Sequence, residues 1–160
     1  MRASFRPATT ADEPTLLELM REFYRHEGMA WDERAARAAL HGVLADASRG
    51  GAVLIEVDAA VAGYLVVCFG WSLEFLGRDA FVDELYVRES HRGQGLGTRA
   101  LEIAAELCRA HGVLALHLEV ERRNTRAQEI YRKAGFVDRE YYLMTRRLAP
   151  VGGSGGEPEP

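Results

Sequence analysis

The stretch from Glu84 to Thr98, ELYVRESHRGQGLGT, constrains this chain more than any other. An apolar strand pattern, Leu85-Tyr86-Val87, runs into a polar loop carrying Gly93, Gly95 and Gly97, and a helical pattern starts at Thr98. Glycines at alternate positions leave the backbone bare, so a ligand can come close to it. The first turn of a helix has N–H groups without intrahelical partners and the positive end of the helix dipole. Strand, glycine loop and helix N-terminus in that order make a site for an anion such as a pyrophosphate. Arg92 adds a guanidinium able to contact a phosphate. A flexible glycine turn with no ligand explains the same glycines equally well. Two nucleotide loops are excluded: the spacing is G-x-G-x-G and not G-x-G-x-x-G, and no Gly-Lys-Ser/Thr follows.

The rest of the chain must bury that unit. Its 160 residues suit one domain. We expect the domain to cover residues 1–149, followed by a disordered tail, 150–160, because only Gly, Ser, Glu and Pro follow Val151. The longest apolar stretches, such as Ala59–Phe69, fall short of the about 20 residues a membrane helix needs. Met1–Asp12 has no apolar signal core, so a cytoplasmic protein without a membrane partner is expected. A net charge of −4 argues against a nucleic-acid partner and is compatible with a cationic substrate. Cys68 and Cys108 read as buried free thiols, and no Cys/His cluster has zinc-ligand spacing, so no metal is expected.

Periodicity gives the order of elements. Ser4–Arg6 reads as a strand, and Leu16 to Phe23 as a helix capped at Thr10 or Asp12 and broken at Gly28. Asp32 caps a second helix through Leu44. Ala52–Val57 and Val61–Phe69 form a hairpin about the turn Asp58–Ala60, Gly70–Arg78 is an irregular connection, and Ala80–Val87 is the next strand. A helix from Thr98 to His111, a strand Val113–Val120, a helix Asn124–Ala134 and one or two strands in Phe136–Leu148 complete the chain. The fold expected is α/β, in the α+β mixed sense: a mixed, mostly antiparallel sheet of about six to seven strands with about four helices, in the order β-α-α-β-β-β-α-β-α-β-β.

Arg92-Gly93-Gln94-Gly95-Leu96-Gly97, after Leu85-Tyr86-Val87, resembles the Q/R-x-x-G-x-G/A motif and central strand of the GNAT superfamily of N-acetyltransferases. The resemblance covers about Arg6 to Leu148, in order of elements as well as motif. It implies an acetyl-CoA-dependent enzyme. The pyrophosphate of coenzyme A would sit on the amides of Gly93, Gln94, Gly95, Leu96, Gly97 and Thr98. The pantetheine arm would pair with Leu85, Tyr86 and Val87 like an extra strand, which requires that strand to splay from its neighbour, as a bulge allows. An amide near Val87 would polarise the thioester carbonyl.

Similar segments in the family also assign the next helix. Asn124 is a good helix cap on its own account, and the resemblance adds contact with the pantetheine arm. Ala127 and Tyr131 share one helical face. Tyr131 reads as a packed aromatic from pattern alone; the resemblance makes it the acid that protonates the departing thiolate. On the acceptor side, Asp83 and Glu84 interrupt an apolar strand, and successive strand residues face opposite ways, so one must find a cleft or a partner. A salt bridge to an Arg is one solution. The paired acids also look like those of polyamine and thialysine acetyltransferases, which implies that Asp83 and Glu84 bind a cationic amine and that Glu84 takes its proton, directly or through water. Tyr24, Glu27 and Trp31 lie where this family lines its acceptor pocket; core packing serves the aromatics equally. The implied function is acetyl transfer to a primary amine, a small cationic one, by direct attack. An acyl-CoA sensor without turnover and a protein or peptide N-acetyltransferase are the alternatives. Many members of this family dimerise through late strands, here Glu140–Met144.

Overall fold

The computed structural model describes residues 2–148; the boundary expected at 149/150 and the tail beyond it lie outside them. Five strands form one sheet in the order β1-β2-β3-β4-β5: β1 (Ala3–Pro7), β2 (Gly50–Val57), β3 (Ala60–Ser72), β4 (Gly77–Val87) and β5 (Ala115–His117). The first four pair antiparallel and β5 pairs parallel to β4, so the sheet is mixed and mostly antiparallel as expected. Four helices flank it: α1 (Glu13–Glu27), α2 (Glu33–Leu44), α3 (Leu96–Ala110) and α4 (Thr125–Lys133).

The central strands read as unbroken apolar runs because both their faces are buried. Side chains alternate across β3. Tyr64 and Val66 join Ala52, Leu54 and Tyr86 under Leu16, Leu19 and Met20 of α1 and Leu40 of α2. Leu65 and Val67 join Ile55 and Ala80 under Leu96, Ala100, Ala104 and Cys108 of α3. Gly28, at φ 68°, ends α1 in the left-handed conformation, and Asp32 caps α2 by accepting from the Ala35 amide. Arg88, just past β4, donates to both carboxylate oxygens of Glu22, at 2.7 and 2.9 Å, and to the Val61 carbonyl, clamping α1 to the end of the central strand.

Two features of β4 prepare the site. Val66 pairs with Glu84 but Val67 with Val82, so Asp83 is an extra, unpaired residue: a bulge. On its other side β4 meets β5 only over Asp79–Phe81, which leaves the edge from Val82 to Val87 without a strand partner among the described residues.

The pattern misleads at three places. The connection expected over Gly70–Arg78 is mostly ladder: β3 runs to Ser72, β4 starts at Gly77, and a turn joins them. The strand expected over Val113–Val120 shrinks to Ala115–His117. The one or two strands expected in Phe136–Leu148, and with them the six- or seven-stranded sheet, are absent among the described residues. A strand needs a ladder and a packed face. A β5 of three residues offers little ladder, and Val137, Tyr141, Tyr142, Leu143, Met144 and Leu148 stand 64 to 90% exposed.

Candidate active site

The glycine loop turns from β4 into α3 through a single 3-10 turn, Glu89–His91. Gly93 and Gly95 take φ of 78° and 76°, the left-handed region that disfavours other residues. A Cβ at Gly93, Gly95 or Gly97 would meet no protein atom within 4 Å, so the backbone there faces open space. Gly95 is the N-cap of α3 and has no side chain to satisfy the first-turn amides. Open backbone, free donors and the positive helix end therefore coincide. Gln94 is exposed, Leu96 anchors the turn in the core below α3, and Thr98 lies in the first helical turn. Leu85 and Val87 pack toward α3, and Tyr86 toward α1.

Arg92 already has contacts within the protein at two of its three nitrogens. Its Nε donates to the Val87 carbonyl at 2.8 Å, its Nη1 lies 2.9 Å from Nε2 of His26, and its guanidinium sits over the Tyr86 ring. It therefore ties the loop to α1. Asn124 does cap α4: its Oδ1 accepts from the Ala127 amide at 3.1 Å. Among the described residues its side-chain N–H groups have no acceptor and can donate elsewhere. Gln128, which the sequence did not single out, donates to the carbonyls of Glu121 and Arg122 and fixes the loop ahead of that cap. Tyr131 is half-buried beside Phe136; burial first, then the charge of Glu27, raises its phenol pKa. Glu27, at the C-terminal end of α1, is thus near enough to act on α4 across the cleft.

Asp83, Glu84, Tyr24 and Trp31 come together on the α1–α2 side. Glu84 accepts a hydrogen bond from the Tyr64 hydroxyl at 2.7 Å, and the Tyr24 hydroxyl also bears on it. The Tyr24 and Trp31 rings meet edge to face, 5.3 Å apart. Burial raises the Glu84 pKa; hydrogen bonds from Tyr64 and Tyr24 oppose the rise and the neighbouring charge of Asp83 adds to it. Asp83 is exposed at the rim, yet the protein packed about its carboxyl is enough to raise that pKa too, by desolvation. Burial followed by interaction with Glu84 pushes Tyr24 up to about 12. The salt bridge that sequence offered as one solution is absent: among the described residues neither acid pairs with an Arg or Lys, and no cation contributes to either pKa.

Other polar and aromatic residues of the sheet and its connections lie elsewhere. Glu74 pairs with Arg139, Ser72 accepts from the Phe75 amide, and Trp71 projects into solvent from the β3–β4 tip. Glu119 is exposed, and His117 stacks between Phe75 and Phe81 with Asp79 at 3.7 Å. Cys68 and Cys108 are free thiols. Sequence reading missed Tyr64, because a tyrosine in an apolar strand reads as core; the one signal was that a buried phenol wants a partner.

The model of the acetyltransferase (GNAT) family matches residues 14–136. The chain belongs to the GNAT acetyltransferase family. This acetyltransferase is 31% identical over 141 residues to an L-methionine sulfoximine/L-methionine sulfone acetyltransferase of Pseudomonas paraeruginosa, covering 85% of this chain and 81% of that one. It is 33% identical over 78 residues to a thialysine N-epsilon-acetyltransferase of Bos taurus, covering 49% of this chain and 45% of the relative. A crystal structure of an integron cassette protein from the mobile metagenome of Cole Harbour Salt Marsh superposes with a TM-score of 0.83 at 36% identity, over 91% of each chain. The enzyme is therefore an acetyl-CoA-dependent N-acetyltransferase. The bare loop backbone, the uncapped α3 terminus and the unpaired edge of β4 fit that cosubstrate. Among the described residues, no group of three His, Cys, Asp or Glu is placed to hold a metal ion, and no helix is long and apolar enough to cross a membrane.

Proposed function

We propose that the acetyltransferase acts on the primary amine of a small cationic compound by direct attack, with Glu84 as base and Tyr131 as acid. The observation that carries this is the pair Asp83 and Glu84: adjacent carboxyls at a bulge of the central strand, Glu84 part-buried and Asp83 at the rim, without a cation beside them among the described residues. A carboxylate partly withdrawn from water favours a cationic partner. Here the missing partner is the substrate's ammonium. The two relatives, acetyltransferases of a methionine derivative and of thialysine, support a small amine acceptor.

Acetyl-CoA supplies the activated acyl carbon and the thiol leaving group. The amides of Gly93, Gln94, Gly95, Leu96, Gly97 and Thr98 would hold its diphosphate. The free edge at Leu85, Tyr86 and Val87 would pair with the pantetheine arm, and the side-chain N–H of Asn124, beside Ala127, would bind the same arm. Arg92, held through Nε and Nη1, would offer a phosphate the N–H groups of Nη2. An alkyl ammonium near pKa 10 must lose a proton before its nitrogen can attack. Glu84 takes that proton directly or through one water, the new N–C bond forms as the C–S bond breaks, Tyr131 gives its hydroxyl proton to the sulfur, and the second proton shed by the nitrogen as it becomes an amide returns through solvent to the Tyr131 phenolate. A phenol whose pKa is raised by burial is still protonated at neutral pH, which an acid requires. Tyr24 and Trp31 would wall the amine's carbon chain, and Glu27 would add negative charge at the mouth.

A cytoplasmic setting is part of the same reading, supported by two unpaired thiols. So is self-association through Glu140–Met144, supported by the exposure of Tyr141, Tyr142, Leu143 and Met144. The test is a screen of primary amines that follows thiol release from acetyl-CoA, run with native enzyme and Tyr131→Phe. Small cationic amines should be acetylated, and the variant should keep acetyl-CoA binding but lose about a hundredfold in turnover, the scale of one general acid. Equal turnover removes Tyr131 from the mechanism. Binding without thiol release for any amine favours a sensor, and release only with peptides favours a protein acceptor.

A further inference from the structure

Tyr64 has no place in the reading above, yet it is the largest side chain wholly withdrawn from solvent. It sits mid-strand on β3 and packs on Tyr86 with ring centroids 6.3 Å apart. Its neighbours on that face, Val66, Leu54 and Ala52, are apolar. A phenylalanine would fill the space equally well, and a phenol there would strand its hydroxyl but for one acceptor. That acceptor is Oε2 of Glu84, at 2.7 Å.

We infer that Tyr64 is a positioning residue for the base: from the closed side of the sheet its hydroxyl holds Oε2 of Glu84 and so fixes the direction in which the carboxyl meets the amine. The inference rests on the assignment of Glu84 as base. A carboxylate on a flexible side chain loses rotamer freedom when it is held at one oxygen, so less remains to be lost when substrate arrives.

The electrostatics agree. The groups facing Glu84 are Tyr64 and Cys68 on β3, Tyr24 on α1 and Asp83 beside it on β4. Burial drives the Tyr64 phenol far above its ordinary value, so it stays a donor throughout the working range. Burial, with the charges of Asp83 and Glu84, pushes the Cys68 thiol up to about 11, so it stays neutral. Burial raises Glu84 and the Tyr64 hydrogen bond lowers it. Without that bond the carboxyl must rise further, and the base fills with a proton at a higher pH.

Four measurements decide this. In Tyr64→Phe, the acid limb of the kcat/KM profile should move up by about one pH unit, the scale of one hydrogen bond to a charged group. The KM for acetyl-CoA should be unchanged. The 13C resonance of the Glu84 carboxyl should titrate at a pH higher by the same amount. In the native protein, the Cζ resonance of Tyr64 should step at the pH where Glu84 titrates, which needs no variant to fold. An unmoved acid limb with an unmoved Glu84 titration, or a Tyr64 resonance flat across that pH, overturns the inference. Glu84→Gln, run alongside, separates the two levels. Intact turnover there removes the base itself; lost turnover there with an unshifted Tyr64→Phe removes only the positioning role.

Discussion

Glu84 carries two opposed demands, and a single substitution exposes both. Its folded pKa is raised by burial, so the ionised form costs stability once pH exceeds the ordinary carboxyl value of about 4.3. That cost grows through the folded pKa and is absent in acid, where both folded and unfolded chains hold the proton. Glu84→Gln keeps an oxygen for the Tyr64 hydroxyl and removes the charge. It should raise Tm by about 2–4 °C near neutral pH, the effect of about 1 kcal/mol in a domain of this size. The gain should vanish below about pH 4. Scanning calorimetry at the two pH values checks this, and a lower Tm at neutral pH would contradict the desolvation argument. The pair of acids was legible in the sequence, since charges do not interrupt an apolar strand without reason. Their partner was not. The choice between a salt bridge and a substrate cation depends on which arginines reach β4, and strand patterning says nothing about that.

At the scale of elements, the glycine loop makes a prediction that separates fold from function. Gly97 is helical with open space where its Cβ would go. Gly97→Ala should keep or slightly raise Tm, because alanine is the better helix former. It should still weaken acetyl-CoA at least tenfold, because the added methyl stands where a diphosphate would approach. Gly95→Ala differs: at φ 76° it should lower Tm by a few degrees from left-handed strain of about 1 kcal/mol, in addition to losing affinity. Thermal shift with and without acetyl-CoA measures both. Unchanged affinity in Gly97→Ala would place the cosubstrate elsewhere. Asn124→Ala should cost about 1 kcal/mol through the lost cap at Ala127. Strand, loop and helix were readable here because three local rules agree: apolar run, alternate glycines, helix period. The bulge at Asp83 was not, since an extra residue in one strand shows only when its partner's register is known. Arg92 was read as a phosphate ligand from its place beside the glycines; that its Nε and Nη1 also meet Val87 and His26 could not be read from a strand pattern.

Over the whole molecule, acid stability and assembly follow from its edges. Arg6 on β1 bridges Asp12 at 2.8 Å and Glu56 of β2, also at 2.8 Å. Hydrogen bonding to Arg6, followed by the Thr9 amide, holds the Asp12 pKa down to about 2. A depressed carboxyl stabilises the fold above its unfolded pKa of about 3.9, and that contribution is lost as pH falls toward 2. Arg6→Met should therefore lower Tm at pH 7 and much less at pH 2, as a pH series of melts would record. At the opposite edge, β5 is three residues long, and the late segment was misread as strand because Tyr141-Tyr142-Leu143-Met144 is a short aromatic and apolar run bounded by charge. The pattern cannot show whether a ladder exists to receive such a segment. Its exposed Tyr141–Met144 should pair copies of the chain; sedimentation should give a dimer that Tyr142→Glu dissociates, and a monomer at all concentrations would contradict this. The central claim is narrower and concerns Glu84. Thiol release from acetyl-CoA with a small diamine, compared between native enzyme and Glu84→Gln at pH 8, tests it most directly. The account predicts a loss of about a hundredfold or more in kcat/KM at unchanged acetyl-CoA affinity; equal rates from the two proteins would contradict it.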